Sequence, residues 1–208
     1  MSALTIVVLA KAPRPGFVKT RLVPPLTYED AAAVAAAALR DTLAAVDATP
    51  ARHRILALDG DDAEWQRTGW SVVPQPTGGL DRRIAAALAA APGPVLLVGM
   101  DTPQLQPAHL LAFDPDAYDA ALGPAEDGGY WVIGLRDPGW AAAAVLGVPM
   151  SQASTGAVQL SRLRALGLRV QLLPRLTDVD TIETAEAVAG EAPSSRFAAT
   201  LAALRLPR

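Results

Sequence analysis

No cysteine occurs in the 208 residues, which excludes disulfides, thiolate metal centres and cysteine nucleophiles. A chain without cysteine accords with a cytoplasmic protein. No apolar run reaches the roughly 18 residues that a membrane helix needs. The apolar start ALTIVVLA follows no basic segment of the kind a signal peptide carries, so the expectation is a soluble protein without membrane insertion. Excess positive charge is missing too: 18 Lys and Arg stand against 21 Asp and Glu, a net charge of −3. Without a broad basic face the chain is a poor candidate for nucleic-acid binding. The two histidines, His53 and His109, lie far apart and beside no acidic cluster, and both read as structural.

What is present is an ordinary globular composition, 51% hydrophobic and 19% charged, long enough for one sizeable α/β domain. One segment of this mildly acidic chain stands apart. Val8 to Leu22, VLAKAPRPGFVKTRL, carries Lys11, Arg14, Lys19 and Arg21 and no acidic residue. Pro13 and Pro15 stiffen it by fixing φ, and Gly16 permits a turn. Arg supplies a planar bidentate fork and Lys a compact point charge, so a phosphate chain suits the loop. The segment matches neither the GxxxxGK[ST] nor the GxGxxG motif, and a basic surface loop among solvent anions is the alternative.

Apolar runs alternate with helical patterns along the chain. Strands are expected at 4–10, 53–59, 70–75, 95–99, 118–124, 130–135 and 168–174, being short, apolar and rich in β-branched residues. Helices are expected at 27–46 with Thr27 as N-cap, 79–91, 156–167 with Gly167 as its stop, 180–190 with Gly190 past its end, and 194–207. Strand–helix alternation implies a mostly parallel sheet with helices on both faces. The strands at 118–124 and 130–135 lie too close for a helical crossover, so one edge of the sheet is expected to be antiparallel or irregular. Ligands of such sheets bind outside the carboxyl ends of the strands, which puts the 11–21 loop, the 100–104 loop and the 124–129 turn on one rim.

Each of these segments has a chemical and a structural reading. Asp101, at the end of the apolar VLLVG strand, is placed to hold Mg²⁺, which takes hard oxygen ligands and often only one or two carboxylates beside substrate phosphates; it could equally cap the next turn. Gly128 and Gly129 let backbone approach a ligand, and Asp127 could bind sugar hydroxyls or a base. In TDVDT (177–181), Asp180 suits an N-cap with Glu183 completing the box, while the other carboxylate could reach a metal. Ser151, Ser154 and Thr155 read first as helix caps, and Trp131 and Trp140 as packing residues.

Taken in order, KAPRPGFVKTRL, GMDTPQL, GPAEDGGYWVIGL, VPMS and LPRLTDVDT resemble the bacterial DUF2064 proteins from about Leu4 to Glu186. These are glycosyltransferase-A-like members of the nucleotide-diphospho-sugar transferase superfamily. The resemblance implies a three-layer α/β fold with a mixed, mostly parallel central sheet. It implies a nucleotide-binding half to about residue 105, an acceptor-binding half over about 106–190, and a helical tail at 191–208 outside the match. On that basis Lys11, Lys19 and Arg21 contact donor phosphates, with Arg14, Gly16, Gly128, Gly129, Tyr130 and Ser151 in the substrate-binding set. Asp101 corresponds to the metal-binding aspartate, Asp178 and Asp180 to the late carboxylates that complete a Mg²⁺ or Mn²⁺ site, and Asp127 to the acceptor side. Asp101, Lys19 and Asp127 are then the catalytic candidates. Two positions depart from the family pattern, Met100 beside the aspartate and Thr184 after Glu183.

The expected function is a Mg²⁺-dependent transferase using a nucleotide-activated donor and a small-molecule acceptor, in its narrower form a glycosyltransferase using a nucleotide-diphosphate sugar. Nucleotidyl transfer from a triphosphate, releasing pyrophosphate, is the rival, and a non-catalytic nucleotide-binding protein the third reading. All of them require Lys19 and Arg21 to face Asp101.

Overall fold

The short apolar runs become strands buried on both faces. A computed structural model describes residues 4–61 and 63–205; residues 206 and 207 of the expected last helix lie outside the described residues. The chain runs β1 (Thr5–Lys11), α1 (Tyr28–Asp47), β2 (His53–Asp59), β3 (Ser71–Pro74), α2 (Leu80–Ala89), β4 (Val95–Val98) and α3 (Pro107–Leu111). It continues with β5 (Ala120–Pro124), β6 (Tyr130–Leu135), α4 (Ala141–Val145), α5 (Thr155–Ala165), β7 (Val170–Leu172), α6 (Ile182–Glu191) and α7 (Arg196–Arg205). The helices α3 and α4, five residues each, are too short to leave a periodic signal in the sequence.

The seven strands form one sheet in the order β3-β2-β1-β4-β6-β5-β7. All neighbouring pairs are parallel except those made by β6, which runs antiparallel to both β4 and β5. The expectation of an irregular edge is therefore corrected: the reversed strand lies inside the sheet. The tight 125–129 turn forces β6 to run back along β5, and β6 then fills the place beside β4. The edge itself is taken by β7, parallel to β5.

Alternation along β1 explains its unbroken apolar run. Ile6, Val8 and Ala10 pack with Leu39 and Leu43 of α1, whereas Val7 points to the opposite layer with Ile84 and Leu88 of α2. Helix α1 starts at Thr27, whose hydroxyl accepts from the Asp30 N–H at 3.1 Å in a capping box, as its sequence predicts. Its Ala-rich surface is buried nearly all round. One side meets the sheet, and the other (Ala31, Val34, Ala38) packs on Val188 of α6 and on Phe197 and Leu201 of α7.

Helix α6 corrects a second expectation. Its N-cap is Thr181, whose box closes on Thr184 rather than on Glu183, and it runs through Gly190 to Glu191. Asp180 is not the cap because its carboxylate is turned onto Arg21. Ser154 stands at the start of α5 without a capping side-chain bond. The Thr155 hydroxyl instead donates to the Pro149 carbonyl at 2.9 Å and accepts from the Gln152 N–H. Among the described residues, no helix is long and apolar enough to cross a membrane.

Phe197 is fully buried between α7 and α1, so the tail helix belongs to the core. Phe197→Ala is expected to lower unfolding free energy by about 3–5 kcal/mol, as for other large-to-small aromatic changes, measured by denaturant titration.

Candidate active site

The carboxyl ends of β1, β2 and β4 open on the same rim, as parallel pairing requires. A cavity of about 680 Å³ lies there, within the size range of small-molecule sites. Its wall includes Lys11, Lys19, Arg21, Asp101, Asp127, Gly129, Tyr130, Ser151, Asp178 and Asp180. The rim that the sequence predicts is thus one continuous pocket.

Lys19 is its centre. The Lys19 side chain is only 9% exposed, and Nζ stands 2.7 Å from an Asp101 carboxylate oxygen. Nζ also donates to the Val179 carbonyl, while the Val179 N–H donates to the Asp101 carbonyl at 2.9 Å. Three segments distant from one another in sequence are joined through one ammonium group. Lys19 adopts left-handed backbone angles, φ 48 and ψ 36, a conformation that costs free energy in a non-glycine residue and persists where its surroundings hold it. Arg21 reaches the same segment through an ion pair with Asp180; with Arg21 74% exposed, that pair adds little stability.

The remaining basic residues divide. Lys11 lines the cavity, and its N–H meets the Met100 sulfur at 3.3 Å. Met100, a departure from the family pattern, is therefore a buried support under the loop. Arg14 lies outside the wall, with its guanidinium 4.9 Å from the centre of the Phe17 ring. Gly16 also lies outside it, in a turn at φ 78.

Also in the wall, the Asp127 carboxylate accepts from the Gly129 N–H at 2.8 Å and closes the 125–129 turn. Gly128 supports the turn from behind and does not line the cavity. It has φ +88, and a Cβ there would stand 2.0 Å from the Ala153 carbonyl oxygen. Gly156, which the sequence reading passed over, is equally constrained: its N–H donates to the Gly128 carbonyl at 2.8 Å, and a Cβ would lie 2.5 Å from the Gly129 carbonyl oxygen. Backbone contact without side chains sets the distance between the turn and α5. Tyr130 lines the cavity, and burial pushes its hydroxyl pKa up. Ser151 also lines the wall, at φ 58.

Asp178 is the perturbed acid of the site. Burial raises its pKa to about 7, and the charges of Asp101 and Asp127 add to the shift, while Lys19 opposes it. No three His, Cys, Asp or Glu side chains among the described residues are disposed to hold a metal by themselves, so Asp101, Asp178 and Asp180 form no protein-only cage. The donor set still fits Mg²⁺, which commonly takes one or two carboxylates and completes its shell with substrate phosphates and water. A divalent cation would also offset the burial and the neighbouring carboxylate charges that raise the Asp178 pKa.

Several wall residues carried no signal in the sequence. Gln75 donates its amide protons to the Ala10 and Ala57 carbonyls at 2.7 and 2.8 Å, and Arg83 binds Asp59 at 2.6 Å. Both line the cavity with Leu80 and Phe17. They sit at a strand end and on a helix whose local pattern predicts only secondary structure.

A family model described as "Uncharacterized protein conserved in bacteria (DUF2064)" matches residues 34–152, a shorter stretch than the sequence resemblance spans. No curated protein matches the sequence significantly. Among solved structures, a protein provisionally described as a nucleotide-diphospho-sugar transferase from Desulfovibrio desulfuricans is similar, with 27% identity and a TM-score of 0.85 over 98% of this chain and 97% of that one. CMP:2-keto-3-deoxy-manno-octonic acid synthetase, complexed with CTP, shares the fold at 13% identity and TM-score 0.60, covering 93% of this chain and 99% of that chain. The 2-C-methyl-D-erythritol 4-phosphate cytidylyltransferase of Thermus thermophilus shares it at 18% identity and TM-score 0.56, covering 92% of this chain and 100% of that one. The glycosyltransferase-A-like fold class is thereby established.

The raised pKa of Asp178 has a signed consequence. A carboxyl that binds its proton more tightly when folded contributes stability that is full below its unfolded pKa and is lost as pH rises through about 7. Asp178→Asn removes that loss. Without metal, its melting temperature should exceed the wild type's at about pH 8, and the difference should vanish near about pH 4. Gly156→Ala should lower the melting temperature and weaken ligand binding together, because it moves the Asp127 turn.

Proposed function

The chain belongs to the DUF2064 family, and from that premise we propose that it is a transferase using a nucleotide-activated donor, in its narrower form a glycosyltransferase using a nucleotide-diphosphate sugar. One observation carries the reading. Lys19 and Asp101 meet inside the cavity, beside the strand carboxyl ends and against Val179. A buried cation and a half-exposed carboxylate, 9% and 42% accessible, are the pair that a metal-chelated polyphosphate would divide between its two charges.

Lys11, Lys19 and Arg21 hold the donor phosphates, in the half that ends near residue 105. Lys19 leaves Asp101 for a phosphate oxygen as the donor enters, and Asp101 is freed for Mg²⁺ or Mn²⁺, with Asp178 or Asp180 as its neighbour. When bound, the divalent ion neutralises charge that develops on the leaving group. Once the donor has drawn Lys19 and Arg21 from their carboxylates, the cations stand at the phosphates, and stabilising that charge needs little further reorganisation. The bond from the anomeric carbon to the phosphate oxygen breaks, and its electron pair leaves on the nucleoside diphosphate. An acceptor oxygen bonds to the same carbon. Its proton passes to a carboxylate of the cavity wall, among which Asp127 is the most exposed. Tyr130 and Ser151 lie beside it to position the acceptor, in the half spanning about 106–190.

The test is a thermal-shift and product screen with Mg²⁺, nucleotide-diphosphate sugars, nucleoside triphosphates and trial acceptors. A ligand that binds only the folded state raises the melting temperature by mass action. Release of nucleoside diphosphate supports glycosyl transfer, release of pyrophosphate replaces it with nucleotidyl transfer, and no shift with any nucleotide overturns the reading. Asp101→Asn should retain metal-free nucleotide binding and lose the Mg²⁺-dependent increment. Lys19→Met should weaken nucleotide binding by at least about 30-fold, the cost of removing one member of a buried charge pair, and should reduce turnover by about 10²–10³.

A further inference from the structure

Gln75 follows directly on β3, whereas Asp101 lies just beyond β4, three places along the sheet in the order β3-β2-β1-β4. The Gln75 side chain reaches over the neighbouring strands. Its amide nitrogen donates to the Ala57 carbonyl of β2 at 2.8 Å and to the Ala10 carbonyl of β1 at 2.7 Å. Carbonyl oxygens only accept, so these two contacts require the NH₂ group and cannot be made by the amide oxygen. The amide is thereby fixed in one orientation, with both of its N–H bonds used. Its Oε1 accepts no hydrogen bond among the described residues, and unlike the buried Oε1 of Gln104 it is open to solvent. Gln75 belongs to the cavity wall. On the β3 side of the rim, the wall therefore holds an accessible, uncharged acceptor that cannot turn round to become a donor.

We propose that Gln75 Oε1 reads the nucleobase of the donor by accepting a hydrogen bond from an N–H on the base edge. That N–H is the ring imide of uracil or guanine, or the exocyclic amine of cytosine or adenine. The inference rests on the donor reading above and deepens it, naming the residue that meets the base and the polarity of the contact. An acceptor repels phosphate oxygens, so this part of the wall does not belong to the polyphosphate. It nevertheless adjoins it: Ala10, whose carbonyl holds the Gln75 amide, is followed directly by Lys11. Asp101 and its metal lie beyond β4, about 10 Å from β2 at the usual strand spacing, so the ribose and phosphates have room between the two ends. Two apolar side chains in the same wall stay open to solvent, Phe17 at 67% and Leu80 at 41% exposed. Exposed aromatic and aliphatic faces are what a planar base stacks on.

The test titrates UDP, CDP, ADP and GDP calorimetrically into the full chain with Mg²⁺ and takes the tightest binder as parent. The parent is compared with an analogue lacking the edge N–H: the N3-methyl form of UDP or N1-methyl form of GDP, or the form of CDP or ADP without its amino group. The analogue should bind the wild type at least about five-fold more weakly, the cost of one lost hydrogen bond. In Gln75→Met the parent should weaken and the gap should close to within about two-fold. Pyrophosphate with Mg²⁺ should bind both proteins alike. Equal binding of parent and analogue to the wild type overturns the proposal, as does a gap that persists in Gln75→Met. A loss seen only with the 2′-deoxy or 3′-deoxy nucleotide also overturns it, because Oε1 would then meet the ribose. So does a parallel loss of pyrophosphate affinity in Gln75→Met, since Gln75 would then act only as a support for β1. Should Gln75→Met fail to fold, the wild-type comparison with its deoxy controls decides. Failure of every nucleotide to bind is a different result, which removes the donor reading and this inference with it.

Discussion

One ammonium group holds the functional end of this molecule together. Lys19 Nζ binds the Asp101 carboxylate and the Val179 carbonyl, and Val179 returns a hydrogen bond to the Asp101 backbone. Neither the basic loop after β1 nor the segment before α6 has regular structure long enough to position itself. Each is fixed by what it touches. With its side chain largely shielded from water, Lys19 needs its partners, since a buried cation without a counter-charge is strongly unfavourable. The left-handed backbone at Lys19 is tolerated on the same terms.

That tie works only because the scaffold around it is rigid. β1 is packed from both faces, α1 is buried against the sheet on one side and against α6 and α7 on the other, and Phe197 closes the second interface. The last helices therefore do more than end the chain: α6 follows directly on Asp178, Val179 and Asp180, so packing α6 and α7 on α1 sets where those residues enter the cavity. Behind the cavity, Gly128 and Gly156 replace side-chain packing with backbone contact, and the Asp127 turn is held by the start of α5. Cations from the first part of the chain and carboxylates from the second then meet across one space.

Much of this was legible before any coordinates. The alternation of apolar runs and helical patterns predicts the α/β class and a mostly parallel sheet, and the Thr27 cap and the Gly167 stop lie where their residue types place them. Asp101 is legible as a candidate because it follows an apolar strand, Lys19 because its loop carries cations and no acid, Asp127 because it sits in a glycine-rich turn, and Asp178 because it belongs to a pair of carboxylates before a helix. Other features left no local trace. β6 is reversed inside the sheet because a tight turn returns it along β5 to a position beside β4, which no single segment encodes. The cap of α6 falls to Thr181 because Asp180 is claimed by Arg21, a residue 159 positions away. Gln75 and Arg83 are ordinary residues until the fold brings them into the cavity wall, and Gly156 until it meets the 125–129 turn.

The amino-acid sequence by itself determined which segments are strands and helices, that the sheet is mostly parallel, and which side chains are chemically equipped for a polyphosphate, since periodicity, capping and residue type act over short stretches of chain. Only the tertiary structure decided which of those side chains meet. Arg14 and Arg21 look alike in one loop, yet one lies against Phe17 outside the cavity and the other crosses it to Asp180. Long-range packing makes that choice, because a charge takes its partner from whatever the fold places within a few ångströms, however distant along the chain.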